Sequence, residues 1–384
     1  MKKLLYITNI PAPYRQKRFN KMAEIFPTYG IDFEVLYMAE KEPNRSWSIP
    51  ADSYKYPHKF FKGIHPTIGN FYAHFNPGLL FRLLRNDYDI AIVGGMASPT
   101  HWLAPFFINS KKIQIMSVES NLHSVARKTG VGAWVKKILL SRATAYQITG
   151  TPQVDYINFF NPRSQKKSFI TLPNLIDEEV FTTKVNILRE NILSLRNKFG
   201  IDTSTQMWIL PARLIEIKGI IPFLEYLENV SKVKLFIVGE GELLSEIKQI
   251  IKRKNLPVIC VGFVQEDKMI EYYAAADLFV LPSLKDPSPL SPIEAIAASL
   301  PILVSSRIGN LAEVLVDKVN GFTYDPVTDI EKAKDMVQHI SNLSRENLAK
   351  MGALSHKLYE DKLGTEKNIH RYAESLKKLI TSFG

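Results

Sequence analysis

Short apolar runs recur along this chain with helix-like stretches between them, and that alternation constrains the fold more than any other feature. In the first half the runs are Leu4 to Thr8, Phe33 to Tyr37, Ile90 to Val93, Ile113 to Val118 and Tyr146 to Thr149. A second series occupies Met207 to Leu210, Lys234 to Val238, Val258 to Val261, Leu278 to Leu281 and Ile302 to Val304. Runs this short, bounded by turn residues, read as buried strands, and strands alternating with helices give a parallel sheet covered on its faces. Two such series within 384 residues predict two α/β units, each with its own core. The polar stretch from Thr182 to Thr205 is assigned to the crossing between them. After Pro326 the pattern is helical to the end, with Tyr372, Leu376 and Leu379 recurring on one face.

Composition removes several function classes. Cys260 is the one cysteine, so an intramolecular disulfide and a cysteine-rich zinc site are excluded. Within Val258-Ile259-Cys260-Val261 it reads as a small buried hydrophobe, and the compartment implied is reducing. The opening Met1-Lys2-Lys3-Leu4-Leu5 mimics a signal peptide, but its apolar core is cut short and Pro11 and Pro13 follow, so it reads as a first strand. The stretch from Ile90 to Phe107 is interrupted by Gly94, Gly95, Pro99 and His101, and no bilayer-crossing segment is expected.

The net charge of +11 is unevenly placed. Residues 1–170 hold 23 Lys and Arg against 10 Asp and Glu, whereas the remainder holds 26 against 28. An acidic partner or anionic surface facing the first unit is the reading that follows. In the segment from Val125 to Arg142, lysines and arginines flank apolar residues and Trp134. It reads either as a peripheral membrane segment or as an ordinary amphipathic helix with a solvated basic face. Nucleic acid is not expected, because no helix-turn-helix, zinc-finger or RNA-recognition signature accompanies the charge.

Candidate site residues gather in the second half. Asp286 and Glu294 bracket Pro287-Ser288-Pro289-Leu290-Ser291-Pro292-Ile293, just past the strand that ends at Leu281. Ser291-Pro292-Ile293-Glu294 also satisfies a capping box, so Glu294 is open to both a capping and a ligand-binding reading. In open α/β sheets ligands bind beyond the carboxyl ends of the strands, where helix N-termini offer amides to phosphate. Amides around Leu290 and Ser291 would then meet phosphate, while Asp286 and Glu294 accept hydrogen bonds from sugar or ribose hydroxyls. Arg213 and Lys218 emerge past the strand that ends near Leu210, where they could grip a diphosphate from two sides. The glycine pair in Val238-Gly239-Glu240-Gly241 follows another strand; Leu244 stands where a dinucleotide fingerprint needs a third small residue, which leaves a tight turn close to a ligand.

Asp87-Tyr88-Asp89 has the spacing of a metal-holding pair, but it precedes a strand and so reads as a solvated turn at the amino edge. No metal site is expected. His123, just past the strand Ile113 to Val118, would face out from the carboxyl edge of the first unit or be a plain loop histidine; the other histidines carry no comparable context.

Taken in order, these motifs resemble family-four glycosyltransferases of the GT-B fold. Pro173-Asn174-Leu175-Ile176-Asp177 with Phe181, Ala212-Arg213-Leu214 with Lys218-Gly219, and the glycine turn from Val238 to Leu243 are similar to the family's segments. Gly262-Phe263-Val264, Tyr272 to Asp277, Leu281-Pro282-Ser283, Asp286 to Ala295, Gly309 with Glu313, and Asn320-Gly321 continue the pattern. The resemblance implies an α/β chain of two Rossmann-like domains facing each other across a cleft. Residues 1–175 would be the acceptor domain, 176–360 the donor domain, and 361–384 a helix returning to the first domain.

By the same resemblance Arg213 and Lys218 bind the donor diphosphate, Glu294 the ribose, and Asp286 the transferred sugar. Backbone at Phe263 and Val264 meets the base, Gly239 lies in the phosphate-side turn, and His123 approaches the anomeric carbon. The implied reaction is metal-independent retaining transfer from a nucleotide-sugar, a UDP-sugar by preference, to a lipid-linked or glycan acceptor, with no cofactor. The implied location is cytoplasmic, on the inner face of the plasma membrane and held by the basic first domain. Two rivals remain open: a sugar-nucleotide epimerase of the same fold and a non-catalytic nucleotide-sugar-binding protein. The sequence departs from the family pattern at Asp286, where Glu is usual, and at Pro287-Ser288-Pro289, which replaces Gly-Phe-Gly. Ile10-Pro11-Ala12-Pro13-Tyr14-Arg15 replaces the glycine-rich loop after the first strand, which makes Arg15 a further candidate.

Overall fold

The computed structural model describes residues 1–384 except 44–48, 69–70, 123–124, 126–127, 229 and 384. Contacts divide the chain into one unit of Met1–Asn174 with Thr365–Gly384 and a second of Leu175–Gly364.

The first unit begins with β1 (Lys2–Thr8), α1 (Pro13–Ile25), β2 (Ile31–Tyr37) and β3 (His58–Phe60). A small hairpin, β4 (Thr67–Ile68) and β5 (Phe71–Tyr72), leads to α2 (Pro77–Leu83). Then come β6 (Ile90–Val93), α3 (Pro99–Phe107), β7 (Ile113–Val118), α4 (Val131–Arg142), β8 (Ala145–Ile148), α5 (Thr151–Phe160) and β9 (Ser168–Thr171). The main sheet is parallel in the order β3-β2-β1-β6-β7-β8-β9. Proline occupies the first or second position of α1, α2, α3 and α5, where its missing N–H costs nothing and its fixed φ starts the helix. Every residue of β6, β7 and β8 is buried, as expected of inner strands covered on both faces.

The second unit runs α6 (Glu178–Glu190), α7 (Ile192–Lys198), β10 (Gln206–Pro211), α8 (Ile220–Leu224), β11 (Val233–Val238) and α9 (Leu244–Lys254). It continues through β12 (Val258–Gly262), α10 (Glu266–Ala275), β13 (Leu278–Leu281), α11 (Ser291–Ala297) and β14 (Ile302–Ser305). α12 (Leu311–Val314), β15 (Gly321–Tyr324), α13 (Ile330–Ser341) and α14 (Arg345–Lys362) complete it. Its parallel sheet has the order β12-β11-β10-β13-β14-β15, with apolar layers on both sides. The last helix, α15 (Thr365–Phe383), rejoins the first unit, where the Tyr372 hydroxyl donates to Gln147 Oε1 at 2.6 Å and its ring lies 6.1 Å from that of Phe26.

The stretch from Thr182 to Thr205 corrects the expectation of a polar crossing, because α6 and α7 are packed elements of the second unit. Phe181, Val185 and Leu195 join its core. The Arg196 guanidinium, 1% exposed, donates to Asp277 Oδ2 at 2.8 Å and to the carbonyl of Ala275 at 2.9 Å. Asp277 also accepts from the Met207 amide at 2.7 Å and from Arg345 Nε at 2.8 Å, so a buried charge is paired on several sides. A helix can look polar in sequence when its buried stripe is narrow and one of its buried members is an arginine.

Candidate nucleotide-sugar site

Strand order in the second sheet reverses direction between β10 and β13, and at such a switch point the connections leave on opposite sides and open a crevice at the carboxyl ends. Most of the second-unit candidate residues sit in loops at that edge.

After β10 the chain makes a tight turn, Glu216–Lys218, closed by Gly219 in the left-handed region at φ 63°. A Cβ on Gly219 would stand 2.3 Å from the carbonyl oxygen of Pro282, so the absence of a side chain is what lets this loop lie against the end of β13. The amides of Leu284 and Lys285 donate to the Ile217 carbonyl at 2.9 and 3.2 Å and tie the two loops together. Lys218 Nζ then donates to Asp286 Oδ2. Both side chains are largely enclosed, at 15% and 11% exposure. Asp286 is held from behind by its backbone, whose carbonyl accepts from the Gly309 amide at 2.8 Å. Arg213 is exposed, and no side-chain hydrogen bond or ion pair engages its guanidinium among the described residues. One of the two candidate cations is therefore already satisfied by a candidate carboxylate, and the other is open.

The glycine turn after β11 packs close to the β10 loop. At Gly239, with φ 145°, a Cβ would lie 2.0 Å from the Ala212 carbonyl oxygen; at Gly241 it would lie 2.3 Å from that of Leu214. The Gly239 amide donates to the Gly262 carbonyl at 2.8 Å, and Glu240 Oε1 accepts from the Phe263 amide at 3.4 Å. Phe263 is exposed and Val264 half-buried, so an exposed aromatic ring stands at the carboxyl end of the edge strand β12.

The capping box at Ser291 does not form. α11 begins at Ser291, its N-cap is Leu290 in the right-handed helical region, and no side chain caps it. The displacement comes from Leu290, whose carbonyl already accepts from the Ile293 and Glu294 amides, so the helix starts one residue earlier than the serine pattern implies. Glu294 instead accepts at Oε2 from the Tyr273 hydroxyl at 2.7 Å. Burial, followed by the nearby Glu294 charge, pushes the Tyr273 hydroxyl well above its ordinary pKa, so it remains a donor. Leu290 and Ser291 are both half-buried. Tyr273 and the fully buried Ser283, whose Oγ has no partner among the described residues, are site neighbours that lie within the quoted motif segments but were assigned no role from sequence. Tyr273 sits in the last turn of α10, and nothing local marks it as the partner of a residue 21 positions away.

At the carboxyl edge of the first sheet Arg15 is not free. Its guanidinium donates to Thr8 Oγ1 at 2.9 Å and Asn9 Oδ1 at 3.0 Å and meets Glu119 at 3.5 Å. Asn9 donates to Glu42 Oε1 at 3.2 Å. The same oxygen lies 2.9 Å from His74 Nε2, while His74 Nδ1 lies 2.9 Å from His65 Nδ1. His101 is 2% exposed with neither ring nitrogen paired among the described residues, and burial lowers its pKa to about 3. The sequence reading found no context for His74 and His101; for His74 the context is tertiary, since Glu42 comes from another loop. His123 lies outside the described residues. Asp87 and Asp89 are at the amino edge, Asp87 paired with Arg82 and Asp89 accepting from Lys2 Nζ and the Lys3 amide. Among the described residues no group of three or more His, Cys, Asp and Glu is arranged to hold a metal ion.

Comparison with known proteins follows the same lines. Residues 191–355 match the family described as glycosyl transferases group 1. An uncharacterized glycosyltransferase of Methanocaldococcus jannaschii is 29% identical over 147 residues, 37% of each chain. Alpha-monoglucosyldiacylglycerol synthase of Acholeplasma laidlawii is 28% identical over 194 residues, 49% of this chain and 46% of that one. The match thus spans less than half the length of these relatives. Among solved structures, Anabaena HepE in complex with UDP superposes with a TM-score of 0.72 at 18% identity, covering 98% of this chain and 100% of that one. At that identity the likeness is one of fold, and the fold is GT-B.

Proposed function

Residues 191–355 match the glycosyl transferases group 1 family, and on that basis we propose that this chain is a retaining glycosyltransferase using a nucleotide-diphosphate sugar, a UDP-sugar by preference. The acceptor is a lipid-linked or polysaccharide glycan. The observation that carries this reading is the convergence of Arg213, the Lys218–Asp286 pair, the Gly239 turn and the Tyr273-held Glu294 on one sheet edge.

In this reading Arg213 and Lys218 hold the diphosphate, with Lys218 sharing its charge between phosphate and Asp286. Asp286 accepts from hydroxyls of the transferred sugar, and Glu294, oriented by Tyr273, accepts from the ribose. Backbone at Phe263 and Val264 meets the base; Leu290 and Ser291 present amides at the start of α11 to the phosphate borne by the anomeric carbon. The bond between that carbon and the β-phosphate oxygen breaks as the acceptor oxygen bonds to the same carbon from the same face. The departing nucleoside diphosphate takes up the acceptor proton. Charge on the leaving group is met by Arg213 and Lys218, which is the part of the barrier the protein can lower without a metal.

A UDP-bound complex of HepE and a glycolipid synthase among the relatives support the choice of donor and acceptor. The concentration of basic residues before position 170 supports work at an anionic membrane surface on the cytoplasmic side. The test is a panel of nucleotide-sugars with lipid-extract acceptors, in the presence and absence of EDTA. The expected result is glycolipid and nucleoside diphosphate formed in equal amounts, insensitive to EDTA, and lost in Glu294→Ala and Lys218→Ala proteins that still unfold cooperatively. An altered free sugar released without acceptor would instead indicate an epimerase, and tight binding with no turnover a non-catalytic binder.

A further inference from the structure

At the amino edge of the second sheet a cavity of about 340 Å³ opens between α6, α7, the end of α10, the loop after α11 and the start of α14. Its place in the fold is set by Asp277 and Pro301, which line it and directly precede β13 and β14. The candidate nucleotide-sugar residues leave the opposite ends of these strands, so the four residues of β13, roughly 13 Å, separate the two places. Leu300, Leu348 and Ala349 give the cavity apolar walls, while Arg189, Asp277 and Arg345 supply its charged lining.

The two arginines are held in the same manner. Arg189 Nε donates to the Ala274 carbonyl at 3.2 Å, and Arg345 Nε donates to Asp277 Oδ1 at 2.8 Å. No hydrogen bond among the described residues engages the terminal nitrogens of either side chain. Capping of α10 explains the Nε contact of Arg189, since a basic side chain near a helix C-terminus satisfies its last carbonyls, but it leaves the remaining N–H groups unspent. Burial lowers the Arg189 pKa against the opposing Asp277 charge, so this cation has lost water that no carboxylate of its own replaces.

The balance of charge decides what would fit. Arg189, Arg196 and Arg345 lie about a single carboxylate, Asp277, which the last two already bond. α10 and α11 end at this edge and α14 begins here, contributing about half a charge each, two negative and one positive. Lys198 pairs with Glu271 and Lys350 with Glu346, which adds nothing net. The surplus is about one and a half positive charges, more than a monocarboxylate neutralises and close to the charge of about −1.5 to −2 on a phosphate monoester at pH 7. Guanidinium groups also match phosphate oxygens in geometry. The volume is at the small end of ligand sites, about 300–1,000 Å³, and leaves room for a compact organic body beside the phosphate.

We propose that this cavity binds a small organic phosphate monoester, with the phosphate on the terminal nitrogens of Arg189 and Arg345 and the organic part against Leu300, Leu348 and Ala349. It is a second site, separate from the nucleotide-sugar crevice, and does not rest on the transferase reading.

The test titrates the full chain with n-propyl phosphate, inorganic phosphate and n-butyrate, read by calorimetry and by the thermal midpoint. The expected result is that n-propyl phosphate binds at least about tenfold more tightly than either of the others and raises the midpoint. Arg189→Gln should weaken it by about tenfold through loss of a charge-assisted contact. Ala349→Phe, at an exposed position of α14 that lines the cavity, fills the space without changing either arginine's charge. It should weaken binding as much and leave the ligand-free midpoint where it was. Arg213→Gln, at the other edge of the sheet, should leave the affinity unchanged. No binding at about 10 mM, or affinity that survives Arg189→Gln and Ala349→Phe, would overturn the site. So would inorganic phosphate or n-butyrate bound as tightly as the ester, or binding lost in Arg213→Gln. No readout depends on turnover or on UDP, so failure here is distinguishable from failure of the transferase reading.

Discussion

Lys218 Nζ and Asp286 Oδ2 are hydrogen-bonded across the point where strand order reverses in the second sheet, one side chain from the loop after β10 and the other from the loop after β13. A lysine and a carboxylate 68 positions apart thereby form one unit, in which the charge offered to a phosphate is set partly by the residue offered to a sugar.

If the pair is coupled, its two members will not act additively. Lys218→Ala and Asp286→Ala should each destabilise the chain by about 1–2 kcal/mol, because each leaves a mostly enclosed charge without its partner, and the double substitution should cost less than the sum. Chemical denaturation of the four proteins measures this directly. Strict additivity would mean the two groups do not interact in solution.

Gly239→Ala should cost at least about 2 kcal/mol and remove nucleotide binding. The new methyl would approach the Ala212 carbonyl oxygen to 2.0 Å at a φ of 145°, a conformation closed to alanine, so the turn must open and the β10 loop move with it. UDP titration by calorimetry together with a thermal melt checks both halves of the expectation.

Tyr273→Phe removes the 2.7 Å hydrogen bond to Glu294 and the longer 3.5 Å one to the Ser291 carbonyl, while the ring keeps its place in the core. Stability should fall by about 1 kcal/mol. Transfer should fall by about tenfold through loss of Glu294 orientation, with Tyr273→Ala far worse on both counts. An unchanged rate in Tyr273→Phe would remove Tyr273 from the site.

His101 makes the first unit acid-sensitive. Burial holds its folded pKa at about 3, well below the unfolded value, so between the two the unfolded chain binds the extra proton and stability falls as pH drops. Going from pH 7.5 to pH 5 should cost about 2 kcal/mol through this residue alone, a loss that His101→Leu abolishes. Urea midpoints of the two proteins at both pH values give the difference. Parallel pH dependence in both would show that the ring finds a proton partner.

Legibility in the sequence followed the range of the interaction involved. The strands β6, β7, β10, β11, β13 and β14 were readable because inner parallel strands are apolar on both faces. Of the edge strands, β12 was readable as the apolar run Val258 to Val261, whereas β3, β9 and β15 were not, since β9 carries two exposed residues of four and β15 begins at Gly321. In the site, Lys218, Gly239 and Glu294 could be picked out as residue types at strand ends, but not what each one touches.

Local pattern therefore determined that this chain builds two parallel α/β sheets and which loops leave their carboxyl edges, because burial and turn formation act over a few residues. Tertiary structure decided that Lys218 is shared with Asp286 and that Glu294 is held by Tyr273 rather than capping a helix. Each of these depends on contacts between segments tens of residues apart, and side-chain hydrogen bonds at that separation are set by how the strands are ordered in the sheet, which no local window of sequence contains.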